Sequence, residues 1–273
     1  MNLDIKPVDA QRSVEYTTIP KLPFSMYINA AKGGGKSTLI LNLLLNPSFV
    51  NKKFNRIIWI SPTAAFDEKV HKALDAKDIT TPNTALIKLI KRLKQKEILD
   101  VDLTNKEPLE SLESEDRVEF YDKFETDIIS EVVKINSKIA KNYGKQFADK
   151  TLIIIDDSIE SKVFASTLFK NLMFKSRHYN VSIIITSQSY FLLPKSIRLN
   201  MTYTILFETG SKKEIDQIYE EHNAGLKPRQ FYQLVSDVFS VPYNFLVINY
   251  NNPKKLRFHD QFKKFIDTSK YLT

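Results

Sequence analysis

Short runs of almost wholly apolar residues recur along this chain: Ile57-Ile58-Trp59-Ile60, Leu152-Ile153-Ile154-Ile155, Ile183-Ile184-Ile185, Ile205-Leu206-Phe207 and Phe245-Leu246-Val247-Ile248. A strand that is apolar at consecutive positions must be covered on both faces, which is the condition inside a parallel sheet. Segments of helical spacing separate most of the runs, so the pattern predicts an α/β fold, a mostly parallel sheet with helices on both faces. Strands are expected near 24–29, 56–60, 151–157, 181–188, 203–208 and 244–249, with helices near 38–45, 162–176, 211–222 and 228–238. In such sheets ligands bind beyond the carboxyl ends of the strands.

The chain has only 6 glycines, and Gly33-Gly34-Gly35 spends three of them directly before Lys36-Ser37-Thr38. Glycine admits positive φ and carries no Cβ, so successive backbone N–H groups can turn inward around a phosphate. Ala30 through Thr38 therefore reads as a phosphate-binding P-loop between a strand and a buried helix, with Ala30 where the strict pattern has glycine. Ala31, Lys32, Gly33, Gly34, Gly35, Lys36, Ser37 and Thr38 are the candidate nucleotide-binding residues. Lys36 would reach the β- and γ-phosphates, Ser37 would coordinate Mg²⁺, and the helix N-terminus would face the anion. These residues imply a nucleoside triphosphate with Mg²⁺ as cofactors.

The strand at 151–157 ends in Asp156-Asp157. Phosphoryl transfer to water needs charge neutralisation and an aligned nucleophile. Asp156 is the candidate metal-holding residue, and Asp157 the candidate that orients and polarises the attacking water. Gln188, at the end of the strand expected beside this one, is the candidate sensor of the γ-phosphate. Arg177 and Arg198 are both candidates for an arginine finger supplied to a neighbouring subunit. Neither an Asn-Lys-x-Asp nor an Asp-x-x-Gly motif occurs, which argues against a switch GTPase; a Leu-Ser-Gly-Gly-Gln signature is absent too.

Composition narrows the class further. Of 273 residues 42% are hydrophobic and 26% charged, as expected of a globular chain with one large domain or a domain carrying an insertion. With no cysteine, disulfide and thiolate chemistry are excluded, and the four scattered histidines give little support to a histidine metal site. No apolar run is long enough to span a membrane. The net charge of +8 favours a polyanionic partner. Residues 1–22 read as an N-terminal arm before a P-loop ATPase domain over 23–273. Residues 67–150 read as a mostly helical insertion whose basic face, with Lys88, Lys91, Arg92 and Lys94, pairs more simply with the acidic stretch after it than with DNA. The end of the chain, 251–273, reads as a basic tail suited to DNA, or else as a solvated terminal helix.

Taken in order, several segments resemble the poxvirus-type genome-packaging ATPases of large DNA viruses and virophages, within the FtsK/HerA superfamily. They are the P-loop at 30–38, Ile57 to Thr63, the strand at 152–157, Ser176-Arg177-His178-Tyr179-Asn180-Val181-Ser182, Thr186-Ser187-Gln188-Ser189-Tyr190 and Leu193 to Asn200. The resemblance implies an ATP-hydrolysing motor, a homo-oligomeric ring of five or six subunits that drives double-stranded DNA into a capsid at a vertex. It implies the host cytoplasm or the virion as location, Gln188 as the polar sensor, and Arg177 as the finger acting across the subunit interface. Asp157 departs from the glutamate more usual at its position. A cellular-type DNA transfer motor and a non-hydrolytic, nucleotide-dependent capsid assembly factor are the alternative readings.

Overall fold

The computed structural model describes residues 16–63, 70, 79–95, 118–157 and 161–271. Its strands are β1 (Ser25–Asn29), β2 (Arg56–Ile60), β3 (Val118–Tyr121), β4 (Thr151–Asp156), β5 (Val181–Ser187), β6 (Tyr203–Phe207), β7 (Phe245–Asn249), β8 (Phe258–Asp260) and β9 (Lys264–Phe265). The longer helices are α1 (Lys36–Leu45), α2 (Thr84–Gln95), α3 (Thr126–Tyr143), α4 (Ser161–Ala165), α5 (Thr167–Lys175), α6 (Lys195–Arg198), α7 (Lys212–His222) and α8 (Pro228–Phe239). All the strands join one sheet in the order β3-β2-β4-β5-β1-β6-β7-β8-β9. From β3 to β6 every pairing is parallel.

The apolar runs are buried for the reason their pattern gives. Alternate side chains of one strand serve opposite faces of the sheet. Ile57, Trp59, Leu152, Ile154 and Ile184 pack with Leu39, Ile40, Leu43 and Leu44 of α1. Ile58, Ile60, Ile153, Ile155 and Ile183 pack with residues of α3, α5, α7 and α8 on the other face. Each such side chain contributes about 1.5–3 kcal/mol by leaving water, so a polar residue anywhere in these runs would disrupt a face that a helix already covers. The expected α/β class with helices on both faces is what the chain adopts.

Three departures have physical causes. The expected helix over 162–176 is two, α4 and α5. Ser166 breaks it by capping α5, its Oγ accepting from the Phe169 N–H at 3.1 Å and donating to the Val163 carbonyl at 2.7 Å. The late strand, β7, runs antiparallel to β6. One crossover helix carries a chain back to the start of a parallel strand, whereas the two helices α7 and α8 in succession carry it out and back, so β7 begins at the end where β6 finished. Finally, residues 251–271 of the expected tail are neither a tail nor a terminal helix, and 272–273 lie outside the described residues. Phe258 and His259 are buried in β8, which extends the sheet by antiparallel pairing with β7, and β9 pairs with β8.

Residues 67–150, expected to be mostly helical, supply α2, α3 and the parallel edge strand β3, which is tied to β2 by a two-bond contact of the Arg56 guanidinium with Glu119 at 2.6 and 2.9 Å. Lys88 is exposed on α2, while the side chains of Lys91, Arg92 and Lys94 lie outside the described residues. Of the expected N-terminal arm, 1–15 lie outside them as well; Lys21 donates its N–H to the Tyr203 hydroxyl at 3.1 Å, beside the start of β6. Among the described residues no helix is long and apolar enough to cross a membrane.

Candidate nucleotide site

The loop between β1 and α1 has the conformation its glycines permit. Gly33 and Gly35 adopt φ of 75° and 101°, a region costly for any residue with a Cβ. Gly34 is required by space: a Cβ there would lie 3.0 Å from the Ala31 carbonyl oxygen and 3.1 Å from the Ala30 Cβ. The loop closes on itself through Gly34 N–H to the Ala31 carbonyl at 3.0 Å, and is tied to β5 through Ala30 N–H to the Ser187 carbonyl at 3.1 Å. Ala31, Lys32, Gly33 and Thr38 are exposed, and Gly34, Gly35 and Ser37 are half-buried, at the mouth of the loop.

Lys36 differs from its neighbours in being 7% exposed. Its ammonium donates to the Ala30 carbonyl at 2.9 Å and lies 3.3 Å from Asp157 Oδ2. A cation so removed from water requires oxygen partners on every open side, and here the loop's own carbonyls and one carboxylate supply them.

The acidic pair reaches this lysine across the sheet. β5 lies between β4 and β1, and its register sets Asp156 opposite Thr186. Thr186 Oγ1 donates to Asp156 Oδ1 at 2.6 Å and accepts from the Asp157 N–H at 3.1 Å, fixing the carboxylate of one and the backbone of the other. Burial raises the Asp156 pKa, countered by the Thr186 hydrogen bond; Asp157 raises it further, while Lys36 and a hydrogen bond with Ser37 lower it. Asp157 leaves the strand with φ of 49°, a left-handed turn aspartate tolerates better than most residues. That turn brings its Oδ2 to Lys36 on one side and to Gln188, whose Nε2 donates at 3.1 Å, on the other. Lys36, Ser37, Asp156, Asp157 and Gln188 therefore form one contiguous group at the carboxyl ends of β1, β4 and β5.

The two arginines part company. Arg177 is exposed between α5 and β5, at the opposite end of the parallel strands from this group. Arg198 is buried: Nη2 donates to Glu221 Oε1 at 2.6 Å, Nε donates to Glu221 Oε2 at 3.0 Å, and Nη1 donates to the carbonyls of Tyr190 and Leu193. A guanidinium so engaged has no free face to offer a second subunit, so Arg198 is withdrawn as a finger candidate.

Thr186 and Glu214 escape a reading of the sequence. Glu214 is buried and accepts from Ser189 Oγ at 2.6 Å, from the Tyr190 N–H at 2.9 Å and from Thr209 Oγ1 at 2.9 Å. It thereby pins the turn that follows Gln188. Glu214 belongs to no motif, and Thr186 stands in the Thr186–Tyr190 segment only as a neighbour of Gln188, with no role of its own assigned from the sequence.

Residues 113–244, just under half of the chain, match the family model described as Poxvirus A32 protein. The resemblance to a viral packaging ATPase is borne out. The match takes in the acidic pair, Arg177 and Gln188, and begins after the P-loop. Among solved structures, the genome packaging NTPase B204 from Sulfolobus turreted icosahedral virus 2 in complex with AMP is 17% identical, with a TM-score of 0.52 over 85% of this chain and 95% of that one. B204, the DNA-packaging ATPase from Sulfolobus turreted icosahedral virus, is 15% identical, with a TM-score of 0.50 over 84% of this chain and 93% of that one. At these identities the likeness establishes the shared fold. No curated protein matches the sequence.

Proposed function

We propose that the chain hydrolyses ATP at the Ala30–Thr38 loop and uses the energy to drive double-stranded DNA into a viral capsid. The observation that carries this reading is the convergence of Lys36, Asp156, Asp157 and Gln188 beside a loop shaped for phosphate. The two B204 proteins of the same fold, one described as a genome packaging NTPase and bound to AMP, the other as a DNA-packaging ATPase, support the direction of the work.

In this reading the N–H groups of 33–38 and the Lys36 ammonium receive the phosphates. Asp156 and the Ser37 hydroxyl suit Mg²⁺, which is typically held by one or two protein oxygens together with substrate phosphates and water. Among the described residues no group of three or more His, Cys, Asp or Glu forms a denser metal cage. The ion would supply charge neutralisation on the phosphate oxygens. Asp157 orients the attacking water once a phosphate has taken its place at Lys36, and Gln188, already bonded to Asp157, senses which partner Asp157 has. Arg177, exposed and at the far end of the strands from its own site, would serve the site of a neighbouring subunit in a homo-oligomeric ring seated at a capsid vertex, in the infected cytoplasm or the virion.

The test is ATP turnover by the purified chain at low salt, with and without double-stranded DNA, and the oligomer sized in parallel. DNA-stimulated hydrolysis by a ring is expected. A rate indifferent to DNA would count against the translocase, and nucleotide binding without turnover, even with DNA, would favour the non-hydrolytic assembly factor. Low salt matters because phosphate contacts weaken steeply as salt rises.

A further inference from the structure

Beside the P-loop, on the face opposite Asp157, a cavity of about 520 Å³ opens between α1 and the ends of β6 and β7. Resting on the ATP reading above, we propose that this cavity takes the nucleobase and ribose of the nucleotide, and that Tyr243 and Gln261 are the residues that grip the base.

The cavity is continuous with the phosphate site, since Gly33, Gly35 and Thr38 line both. Its volume lies within the ~300–1,000 Å³ of ordinary small-molecule sites. The floor is aromatic: Phe207 and Phe245 stand 5.1 Å apart, Phe245 and Phe262 5.8 Å, and Phe262 and Phe49 5.7 Å. Phe207 also lies against Gly35, its ring 3.5 Å from where a Cβ would sit, so the floor begins directly under the loop. An aromatic floor running away from a phosphate cradle suits a flat heteroaromatic ring, while Asn42, Asn46 and Lys263 supply polar groups to the lining, as a ribose with its hydroxyls requires.

The rim is built to stay in place. Tyr243 and Gln261 both hold left-handed backbone, with φ of 59° and 53°. Their turns are bonded to each other's strands: Asn244 Nδ2 donates to Asp260 Oδ1 at 2.9 Å, and the Gln261 N–H donates to the Phe245 carbonyl at 3.0 Å; Asn244 Nδ2 also donates to the Val238 carbonyl of α8 at 2.9 Å. Two residues in an unfavourable conformation are cross-tied at one cavity mouth, and for Tyr243, which is 77% exposed, packing within the chain does not repay the cost. A ring stacked on Tyr243 would cover it, and the Gln261 amide can both donate to and accept from a base edge. The hairpin that carries Gln261 and Phe262 is the segment that reads from sequence as a tail, so the proposal gives it a specific task.

The experiment measures binding of ATP and of inorganic tripolyphosphate to the full chain and to Tyr243→Ala, Tyr243→Phe and Gln261→Ala. Tripolyphosphate has the phosphates without the base. Wild type should bind ATP more tightly than tripolyphosphate. Tyr243→Ala should weaken ATP about tenfold or more and leave tripolyphosphate unchanged, with Tyr243→Phe retaining most of the affinity and Gln261→Ala intermediate. Equal affinity of wild type for both ligands, or ATP binding untouched by Tyr243→Ala and Gln261→Ala, would overturn the base site while leaving the P-loop reading intact. Failure of wild type to bind either ligand would overturn the P-loop reading and this one with it.

Discussion

Lys36 and Asp157 hold each other at 3.3 Å, so the lysine expected on the phosphates and the carboxylate expected on the water are partners of one another in this structure. A phosphate entering the loop must compete with Asp157 for the ammonium. Asp157→Asn removes that competitor's charge and leaves the loop untouched. It is expected to tighten ATP binding several-fold while lowering turnover by about 10²–10³, as loss of a group that positions or polarises the nucleophile does. Lys36→Ala should weaken both binding and turnover. Binding titration alongside single-turnover hydrolysis separates the two effects, and unchanged affinity in Asp157→Asn would show that the ion pair does not oppose the nucleotide.

The strands that carry these residues were legible because β2, β4 and β5 are apolar at successive positions, and only burial on both faces makes such runs useful. Asp156 and Gln188 were legible because they sit at the ends of such runs, and Lys36 because it follows Gly33-Gly34-Gly35. What escaped depended on contacts made far along the chain. Phe258-His259-Asp260 is too short and too mixed to declare a strand; it becomes one because β7 presents an open edge. Arg198 reads like any surface arginine until α7 brings Glu221 to it, 23 residues later. Tyr243 and Gln261 share a cavity mouth with Gly33, and nothing local in 240–263 announces a phosphate loop two hundred residues upstream.

Arg198 and Glu221 make a strong stability prediction. Their side chains are 5% and 1% exposed, and each arm of the guanidinium is bonded. Removing one partner strands the other's charge in the interior, a loss of about 3–5 kcal/mol. Arg198→Ala should therefore unfold at much lower urea than wild type, as should Glu221→Gln. Arg198→Lys should recover little, because an ammonium cannot reproduce the planar fork. A finger role predicts the reverse pattern, a stable chain that binds ATP and fails to turn it over.

Glu214 offers a way to ask whether the turn after Gln188 matters to chemistry. Glu214→Gln sets an amide N–H₂ or a single carbonyl where a carboxylate took bonds from Ser189, Tyr190 and Thr209. A stability loss of about 1–3 kcal/mol is expected from the unsatisfied groups. If Gln188 acts from the position that Glu214 fixes, kcat should fall with KM little changed. Adding Gln188→Ala to Glu214→Gln should then cost less than the sum of the single effects. Strict additivity in that double-mutant cycle would confine Glu214 to a structural role.

Stability should also respond to acid through two histidines that the site does not use. Burial lowers the His222 pKa to about 4, although Glu221 beside it pulls upward, and burial lowers that of His259 to about 4 as well. Tyr190 Oη lies 2.5 Å from His222 Nε2, and Tyr250 bonds Nδ1, so the neutral ring is enclosed by hydroxyls. An unfolded histidine takes up a proton below about pH 6.5. Between there and about pH 4 the unfolded chain binds protons that the folded chain refuses, so stability falls as pH falls through this window. For His222 the full effect is roughly 3 kcal/mol. Glu221 adds to the loss at still lower pH: burial raises its pKa, but the Arg198 and Tyr190 hydrogen bonds outweigh that and hold it below the usual range, so its stabilisation is lost on protonation. Urea midpoints measured from pH 7 to pH 4 should drop steadily. The drop should be shallower in His222→Gln, which has no proton to refuse; an identical pH slope in that variant would mean that His222 is not a source of the acid sensitivity.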